Sequence, residues 1–275
     1  MIFKKEKLNK CLTEYLQKGL ILALSGGVDS ALLLAVVAQF PIEQRQRFLA
    51  ITFETILYPE DEIKTAKSLC QSYLVEHCPV KPEDEIPVAI KHNPKDRCYR
   101  CKKNLFKQVL ILAQNRGYSY IMDGTNADDL KSYRPGRQAL MELGIKSPLA
   151  DCGFTKTEIR TYAAELGLTL ADKPSGSCYA TRLPYGAELN KDLISKIAEL
   201  EEFLRGFGLS QVRVRYHQPI VRIELMPAEF PLFLKQREQA LQKAEELGFA
   251  YLTLDMAGFR SGSMDIDLLA PYLYL

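Results

Sequence analysis

Two kinds of hydrophobic pattern alternate along the first two thirds of the chain. Short, unbroken apolar runs at 20–24 (Leu-Ile-Leu-Ala-Leu) and 48–53 (Phe-Leu-Ala-Ile-Thr-Phe) have the length of strands buried on both faces. After the first run the chain turns through Ser-Gly-Gly, and Asp29 opens an apolar segment, Ala31 to Phe40, long enough for a helix. A polar stretch beginning near Pro59 has the composition of a crossover helix, and residues 74–80 read as a further, weaker strand. Residues 102–116 predict a helix that Gly117 stops, followed by a strand at 118–124. Thr155 with Glu158 three residues on is the signature of a capping box, and the helix it opens ends on Gly167. Strands alternating with helices predict an α/β fold, a parallel sheet with helices on both faces.

The character changes beyond a turn-rich loop at 171–186. A helix at 190–207, strands at 212–216 and 220–225, a helix at 228–247 and a strand at 251–255 predict a smaller α+β domain. The expected organisation is therefore two domains, 1–175 and 176–275. With 275 residues, 47% hydrophobic and 25% charged, the composition is that of a globular chain with a full core, which excludes disorder. A formal charge of +2 is too near neutral to predict a nucleic-acid partner from bulk electrostatics. The longest apolar stretch, Ala31 to Ala38, is too short for a bilayer, and the N-terminal lysines precede no apolar run, so a cytoplasmic protein without a membrane segment is expected. Seven cysteines, an odd number in a chain this long, make a disulfide scaffold a poor explanation.

The most informative segment is Ser25-Gly26-Gly27-Val28-Asp29-Ser30, between the first strand and its helix. Glycines let the backbone approach an anion, helix N-terminal amides supply donors, and the hydroxyls of Ser25 and Ser30 add more. It lacks the Gly-Lys-Ser/Thr ending of a Walker loop and the third glycine of a dinucleotide fingerprint; a bare Ser-Gly-Gly could equally only turn the chain. Asp123-Gly124-Thr125-Asn126-Ala127-Asp128-Asp129 follows the 118–124 strand, at the sheet edge where ligands collect. Its carboxylates suit a hard cation held with a polyphosphate, or an ordinary helix cap with acidic first-turn residues.

Three cysteines and three arginines complete the candidate chemistry. Cys178 closes Lys173-Pro174-Ser175-Gly176-Ser177-Cys178, with Lys173 and Arg182 near in sequence to favour a thiolate; a loop cysteine without a task is the alternative. Cys98 and Cys101 form a Cys-x-x-Cys ahead of the lysine-rich start of the 102–116 helix. One such pair is half a zinc site, but with Cys178 it makes three thiols, enough for three irons of a [4Fe-4S] cluster or for a persulfide relay, unless the thiols are inert. On the strand at 212–216, Arg213 and Arg215 share one face and suit a phosphate; a solvated strand face is the commoner explanation. Arg260 lies in a second glycine and hydroxyl loop, Gly258-Phe259-Arg260-Ser261-Gly262-Ser263, which meets a phosphate or merely turns.

The string at 25–30 resembles the PP-loop of the ATP pyrophosphatases, which have an adenine nucleotide alpha hydrolase-like fold and cleave ATP between its α and β phosphates. Taken with Cys-Tyr-Arg-Cys-Lys-Lys at 98–103, Gly-Thr-Asn-Ala-Asp-Asp at 124–129, Lys-Pro-Ser-Gly-Ser-Cys at 173–178, Arg-Val-Arg at 213–215 and Gly-Phe-Arg-Ser-Gly-Ser at 258–263, it resembles the LarE family over essentially the whole chain. These are ATP-dependent sulfur transferases of nickel-pincer nucleotide biosynthesis. The resemblance implies ATP and Mg²⁺ as cofactors, with Ser25, Gly26, Gly27, Asp29, Ser30, Asn126 and Asp128 at the nucleotide and Asp29 and Asp128 towards the metal. It implies a small-molecule nucleotide, pyridinium-3,5-biscarboxylic acid mononucleotide, as substrate. Arg213, Arg215 and Arg260 would hold its phosphate, and sulfur from Cys178 would displace AMP from the adenylated carboxylate. It further implies a homo-oligomer and no nucleic-acid partner. Cys98 and Cys101 match members with three active-site cysteines, so catalytic rather than sacrificial sulfur transfer is expected, through a persulfide or a [4Fe-4S] cluster on Cys98, Cys101 and Cys178. The rival readings are a tRNA thiolase of the same superfamily and a nucleotide-binding sensor without turnover.

Overall fold

The structure, a computed structural model, describes residues 1–131, 134–172, 176–260 and 262–265. They divide into two compact units, residues 1–90 with 96–175, and residues 91–95 with 176 onwards.

The first unit is an α/β layer structure. Its elements in chain order are α1 (Ile2–Lys18), β1 (Leu20–Ala23), α2 (Val28–Ala38), β2 (Phe48–Phe53), α3 (Glu60–Ser72), β3 (His77–Val80), α4 (Arg97–Arg116), β4 (Tyr120–Met122), α5 (Pro135–Glu142), α6 (Pro148–Asp151) and α7 (Lys156–Glu165). The four strands form a parallel sheet in the order β3-β2-β1-β4. Strand alternation divides the core. Leu20, Leu22, Phe48 and Ala50 face one side with Leu8, Leu12 and Leu16 of α1, the apolar run Ala31 to Val37 of α2, and Ile159 and Tyr162 of α7. Ile21, Leu49 and Ile51 face the other with Phe106, Val109 and Ala113 of α4.

This topology determines where a ligand would collect. From β1 the chain runs outward through β2 to β3, then returns to the opposite side of β1 for β4, so the strand order reverses between β1 and β4. At such a switch point the loops leaving the carboxyl ends diverge to opposite faces and leave a crevice. Here those loops are Ser25–Ser30 and Asp123–Asp129.

The second unit holds α8 (Lys191–Arg205), β5 (Val212–His217), β6 (Ile220–Leu225), α9 (Phe230–Lys235), α10 (Arg237–Glu246) and β7 (Tyr251–Leu254). β5 and β6 are an antiparallel pair, while β7 joins β6 in parallel through the intervening helices, a small mixed sheet. Asn93 anchors the 91–95 segment in this unit by donating from Nδ2 to the carbonyls of Ala180, Leu183 and Pro184 at 3.1, 3.0 and 2.9 Å. Among the described residues no helix is long and apolar enough to cross a membrane.

Three local differences from the sequence expectation have physical causes or consequences. Helix α4 starts at Arg97, not 102, so Cys98 and Cys101 lie inside its first turns instead of ahead of it. The stretch expected as one helix at 228–247 is broken at Gln236, whose φ of −109° and ψ of 16° leave the helical region. Helix α1 goes unread in the sequence because its stripe of Leu8, Leu12 and Leu16 is embedded in a polar, lysine-rich segment.

The capping box of α7 forms as expected. Glu158 N donates to Thr155 Oγ1 at 3.3 Å, and Thr155 N donates to the Glu158 carboxylate at 2.9 Å. Lys4 of α1 reaches the same carboxylate at 2.7 Å, which ties the two helices. Substituting Thr155→Ala is expected to cost about 1 kcal/mol, a fall in Tm of about 2–4 °C in a chain of this size. Thermal denaturation followed by circular dichroism checks it, and an unchanged Tm would mean that the box contributes nothing.

Candidate active site

The turn after β1 is shaped by its neighbours. Leu24 N donates to Ile51 O at 2.8 Å and Thr52 Oγ1 donates to Leu24 O at 2.9 Å, which holds the strand end until the turn begins. Gly26 has φ of +75°, and a Cβ there would lie 2.3 Å from the carbonyl oxygen of Glu62 in the first turn of α3. Only glycine satisfies both conditions. Within the turn Ser30 Oγ donates to Gly27 O at 3.1 Å and accepts from Ser25 N at 3.1 Å, with Ser25 Oγ also 3.1 Å away. Gly27 occupies the N-cap of α2 with no side chain over the helix end. The first amides of a helix have no intrahelical acceptor, so this end presents donors and a positive dipole to the crevice.

The loop after β4 closes on that turn. A Cβ at Gly124 would lie 2.9 Å from Ser30 N and 3.2 Å from Asp29 Cβ, so a side chain there would wedge the two loops apart. Asp123 is buried and accepts from the hydroxyls of Ser147 and Thr125, which makes it part of the loop framework. Asn126 Oδ1 accepts from the amides of Asp128 and Asp129 at 2.9 and 3.2 Å, and its Nδ2 donates to Asp29 Oδ2 at 3.5 Å. Asp128 accepts from the Lys156 amide at 2.8 Å and pairs with Lys131 at 3.0 Å; the backbone bond first, then the lysine, holds its carboxyl below the ordinary range. Asp129 pairs with Arg134 at 2.9 Å.

Lys156, which the sequence pattern does not single out, belongs to this cluster. Its Nζ lies 2.7 Å from both carboxylate oxygens of Asp29. Burial pushes the Asp29 carboxyl up, and the Lys156 bond opposes that rise. A signal was present in the chain. Lys156 is the first residue of α7, where the helix dipole disfavours a cation, so a lysine there needs a local anion.

The Cys-x-x-Cys sits at the start of α4, the helix that packs on the other face of the sheet from α2 and α7. Both thiols are half-buried and, three residues apart in a helix, share one face. Helix α5 lies close: a Cβ at Gly136 would meet Cys98 O at 3.3 Å and Lys102 Cδ at 2.9 Å. Glu142 of α5 accepts from Tyr99 Oη and from Lys103 Nζ, each at 2.7 Å, and Lys103 first, then Tyr99, draws its carboxyl down to about 2.

In the second unit Cys178 is half-buried and precedes a short 3₁₀ turn, Tyr179–Arg182. The turn is fastened by Arg182, which is 1% exposed. Its guanidinium holds the buried Glu201 of α8 through two bonds, of 2.6 and 3.0 Å, and donates to Ser177 Oγ at 2.7 Å and Thr181 Oγ1 at 2.8 Å. Glu201 also accepts from Val214 N at 2.9 Å. Arg215 is bound to Glu224 by two bonds, of 3.1 and 2.9 Å, and donates to Thr181 O at 2.9 Å, while Ser263 Oγ donates to Glu224 at 2.6 Å. Arg213 lies over the Phe259 ring at 5.5 Å, and burial first, with Arg182 and Arg215 adding, pushes its guanidinium down to about 10. Arg260 is half exposed and 3.7 Å from Asp255.

The side chains of Arg213 and Arg215 are thus buried, and the solvated strand face is excluded. Among the described residues Arg182 and Arg205 pair with Glu201, Arg215 with Glu224, Arg222 with Glu224 and Asp255, and Arg260 with Asp255. Lys173, Pro174, Ser175 and Ser261 lie outside the described residues. Among the described residues no group of three or more His, Cys, Asp or Glu side chains is arranged to hold a metal ion. Mg²⁺ fits the first unit in the mode in which phosphate oxygens supply most ligands and one or two carboxylates the rest.

Known proteins share this arrangement of sequence. The profile of the PP-loop domain matches residues 3–175. The chain is 35% identical over 246 residues, 90% of its length and 88% of the relative's, to the pyridinium-3,5-bisthiocarboxylic acid mononucleotide synthase of Lactiplantibacillus plantarum. It is 37% identical to an uncharacterised protein of Synechocystis sp. over 89% of this chain and 91% of that one, and 31% identical to another of Methanocaldococcus jannaschii over 95% and 100%. The turn at 25–30, the α/β sheet that carries it and these relatives place the chain in the PP-loop family, as a member of LarE type.

Proposed function

We propose that this chain is an AMP-forming sulfur transferase that adenylates the carboxylates of pyridinium-3,5-biscarboxylic acid mononucleotide and converts them, in turn, to thiocarboxylates with sulfur delivered by Cys178. The observation that carries the nucleotide half is the close approach of Gly26 and Gly124 around the N-terminus of α2, which builds an anion cradle at the switch point of the sheet. The L. plantarum relative, named for the bisthiocarboxylic product, carries the choice of acceptor.

In this reading the amides of the 25–30 turn and the hydroxyls of Ser25 and Ser30 hold the pyrophosphate portion of ATP. Mg²⁺ bound with the nucleotide would be held by Asp29, with Asp128 beside it, and would neutralise charge developing on the leaving pyrophosphate. A substrate carboxylate oxygen attacks the α phosphorus, the bond to the bridging oxygen breaks, and pyrophosphate leaves. The adenylate is then an activated acyl group. Sulfur on Cys178 attacks its carbonyl carbon and AMP leaves with the electron pair. Arg213, Arg215 and Arg260 supply charge for the substrate phosphate.

The fate of Cys178 depends on its sulfur. If its own Sγ is given up, a base takes the Cα proton, the Cβ–S bond breaks and dehydroalanine remains; if Cys178 carries a persulfide loaded by an external sulfane-sulfur donor, a second thiol attacks Cys178 Sγ, the S–S bond breaks to release the thiocarboxylate, and the resulting disulfide is returned to thiols by an external thiol reductant, so the cysteine survives. We favour survival, since Cys98 and Cys101 provide further thiols for a relay.

Gly26→Ala places a methyl group against Glu62 O and is expected to weaken binding of a fluorescent ATP analogue by at least about tenfold; unchanged binding would remove the turn from the nucleotide site. Cys178→Ala is expected to retain substrate-dependent pyrophosphate release and to form no thiocarboxylate, read by a phosphate-coupled assay and mass spectrometry. Intact-protein mass after turnover of the unsubstituted chain is expected to show no loss; loss of about one H₂S per chain would mean sacrifice.

A further inference from the structure

Asp29 is the carboxylate closest to the anion cradle, and it is already engaged. Both of its oxygens accept from Lys156 Nζ at 2.7 Å, and Asn126 Nδ2 stands 3.5 Å from one of them. The other carboxylates of the cluster are engaged as well, Asp128 by Lys131 and the Lys156 amide, Asp129 by Arg134 and the Asn126 amide. A divalent ion arriving alone would have to displace an ammonium from a partly buried carboxylate, and would sit beside that ammonium afterwards. At a separation of a few Å such repulsion is substantial even with an effective dielectric constant of about 20.

Lys156 is also held where it is against the local field. As the first residue of α7 it faces the positive end of the helix dipole, which makes the site poor for a cation unless an anion compensates. Its backbone is fixed by the Asp128 bond and by the Thr155–Glu158 capping box immediately before it, so its side chain starts from a rigid point within reach of the cradle. A polyphosphate bound at the N-terminus of α2 would offer Nζ a second anion and leave Asp29 free for the metal.

The geometry points to Lys156 as an internal counter-ion that closes Asp29 to a free divalent cation and releases it only when a polyphosphate is bound. The metal therefore enters with the nucleotide, and a metal ion cannot occupy the site unproductively beforehand. This rests on the ATP reading of the 25–30 turn and deepens it: the substrate recognised is the metal–polyphosphate complex, with Lys156 exchanging one anion for another.

The test uses Mn²⁺ in place of Mg²⁺, with free Mn²⁺ followed by its electron paramagnetic resonance signal, on the full chain and with no turnover required. The unsubstituted protein is expected to bind Mn²⁺ weakly alone and tightly with α,β-methylene-ATP. Lys156→Met, which removes the charge and keeps the length, is expected to bind Mn²⁺ alone about tenfold more tightly or better, and to bind the Mn²⁺–nucleotide complex less tightly than the unsubstituted protein does. Lys156→Arg keeps the charge and should keep the weak binding of free Mn²⁺, and Lys156→Gln replaces the Met variant should that one fold poorly. Adding Asp29→Asn to Lys156→Met should abolish the gain. Equal affinity for free Mn²⁺ in the unsubstituted and Lys156→Met proteins, or a gain that survives Asp29→Asn, overturns the proposal. Failure of the unsubstituted protein to bind α,β-methylene-ATP would instead overturn the nucleotide reading, while the free-Mn²⁺ comparison would still decide whether Lys156 closes Asp29.

Discussion

The site depends on the absence of two side chains. At Gly26 the backbone turns through positive φ directly beneath the Glu62 carbonyl, and at Gly124 the loop after β4 comes into contact with the amide of Ser30. A methyl group at either position would move a loop by several tenths of an ångström or more, and the amides of the α2 N-terminus would no longer converge. The parallel sheet supplies the rest, since reversal of strand order at β1 places both loops at one crevice. Helix α2, apolar on every side from Ala31 onward and buried almost throughout, fixes the direction of the dipole because it has no solvent face about which to shift.

Charge is handled differently in the two units. In the first, acids and bases around the cradle are partly exposed and paired one to one, an arrangement that can exchange partners when an anion and a metal arrive. In the second, Arg182, Glu201, Arg215 and Glu224 are buried and linked through several bonds each, and the network ends on the backbone and hydroxyls of Ser177, Cys178 and Thr181. Breaking such a pair leaves a buried charge uncompensated, so these residues hold the cysteine turn in one conformation. Arg182, near Cys178 in sequence, acts on that turn as a fastener through its hydrogen bonds. Arg213 lies over the Phe259 ring, and Arg260 is half exposed near Asp255.

The strands and the helices with a single periodicity were legible in the chain. The 48–53 strand and the Thr155–Glu158 box are local features, readable because unbroken hydrophobicity and capping chemistry act over a few residues. The start of α4 was not, because Cys-Tyr-Arg-Cys carries no propensity strong enough to separate helix from loop, and packing of α5 over that turn decides it. Helices α5 and α6 were likewise unread between two loops, marked only by Pro135 and Pro148 at their first positions. The composition of the 25–30 turn predicts an anion site, whereas the pairing of Lys156 with Asp29 spans 127 residues of sequence and has no local signature beyond a lysine misplaced at a helix start. Burial of Arg213 and Arg215 was hidden for the same reason: alternation reveals that two residues share a face, and only tertiary packing reveals what covers it.

In the proposed reaction the turn after β1 grips ATP so that the bond between its α and β phosphates is the one that breaks. Phosphorus-31 magnetic resonance of ATP incubated with Mg²⁺, the protein and the pyridinium dicarboxylate mononucleotide reads that directly. Appearance of AMP and pyrophosphate in equal amounts, dependent on the dicarboxylate, is the predicted result; ADP with inorganic phosphate, or ATP left intact, would contradict it.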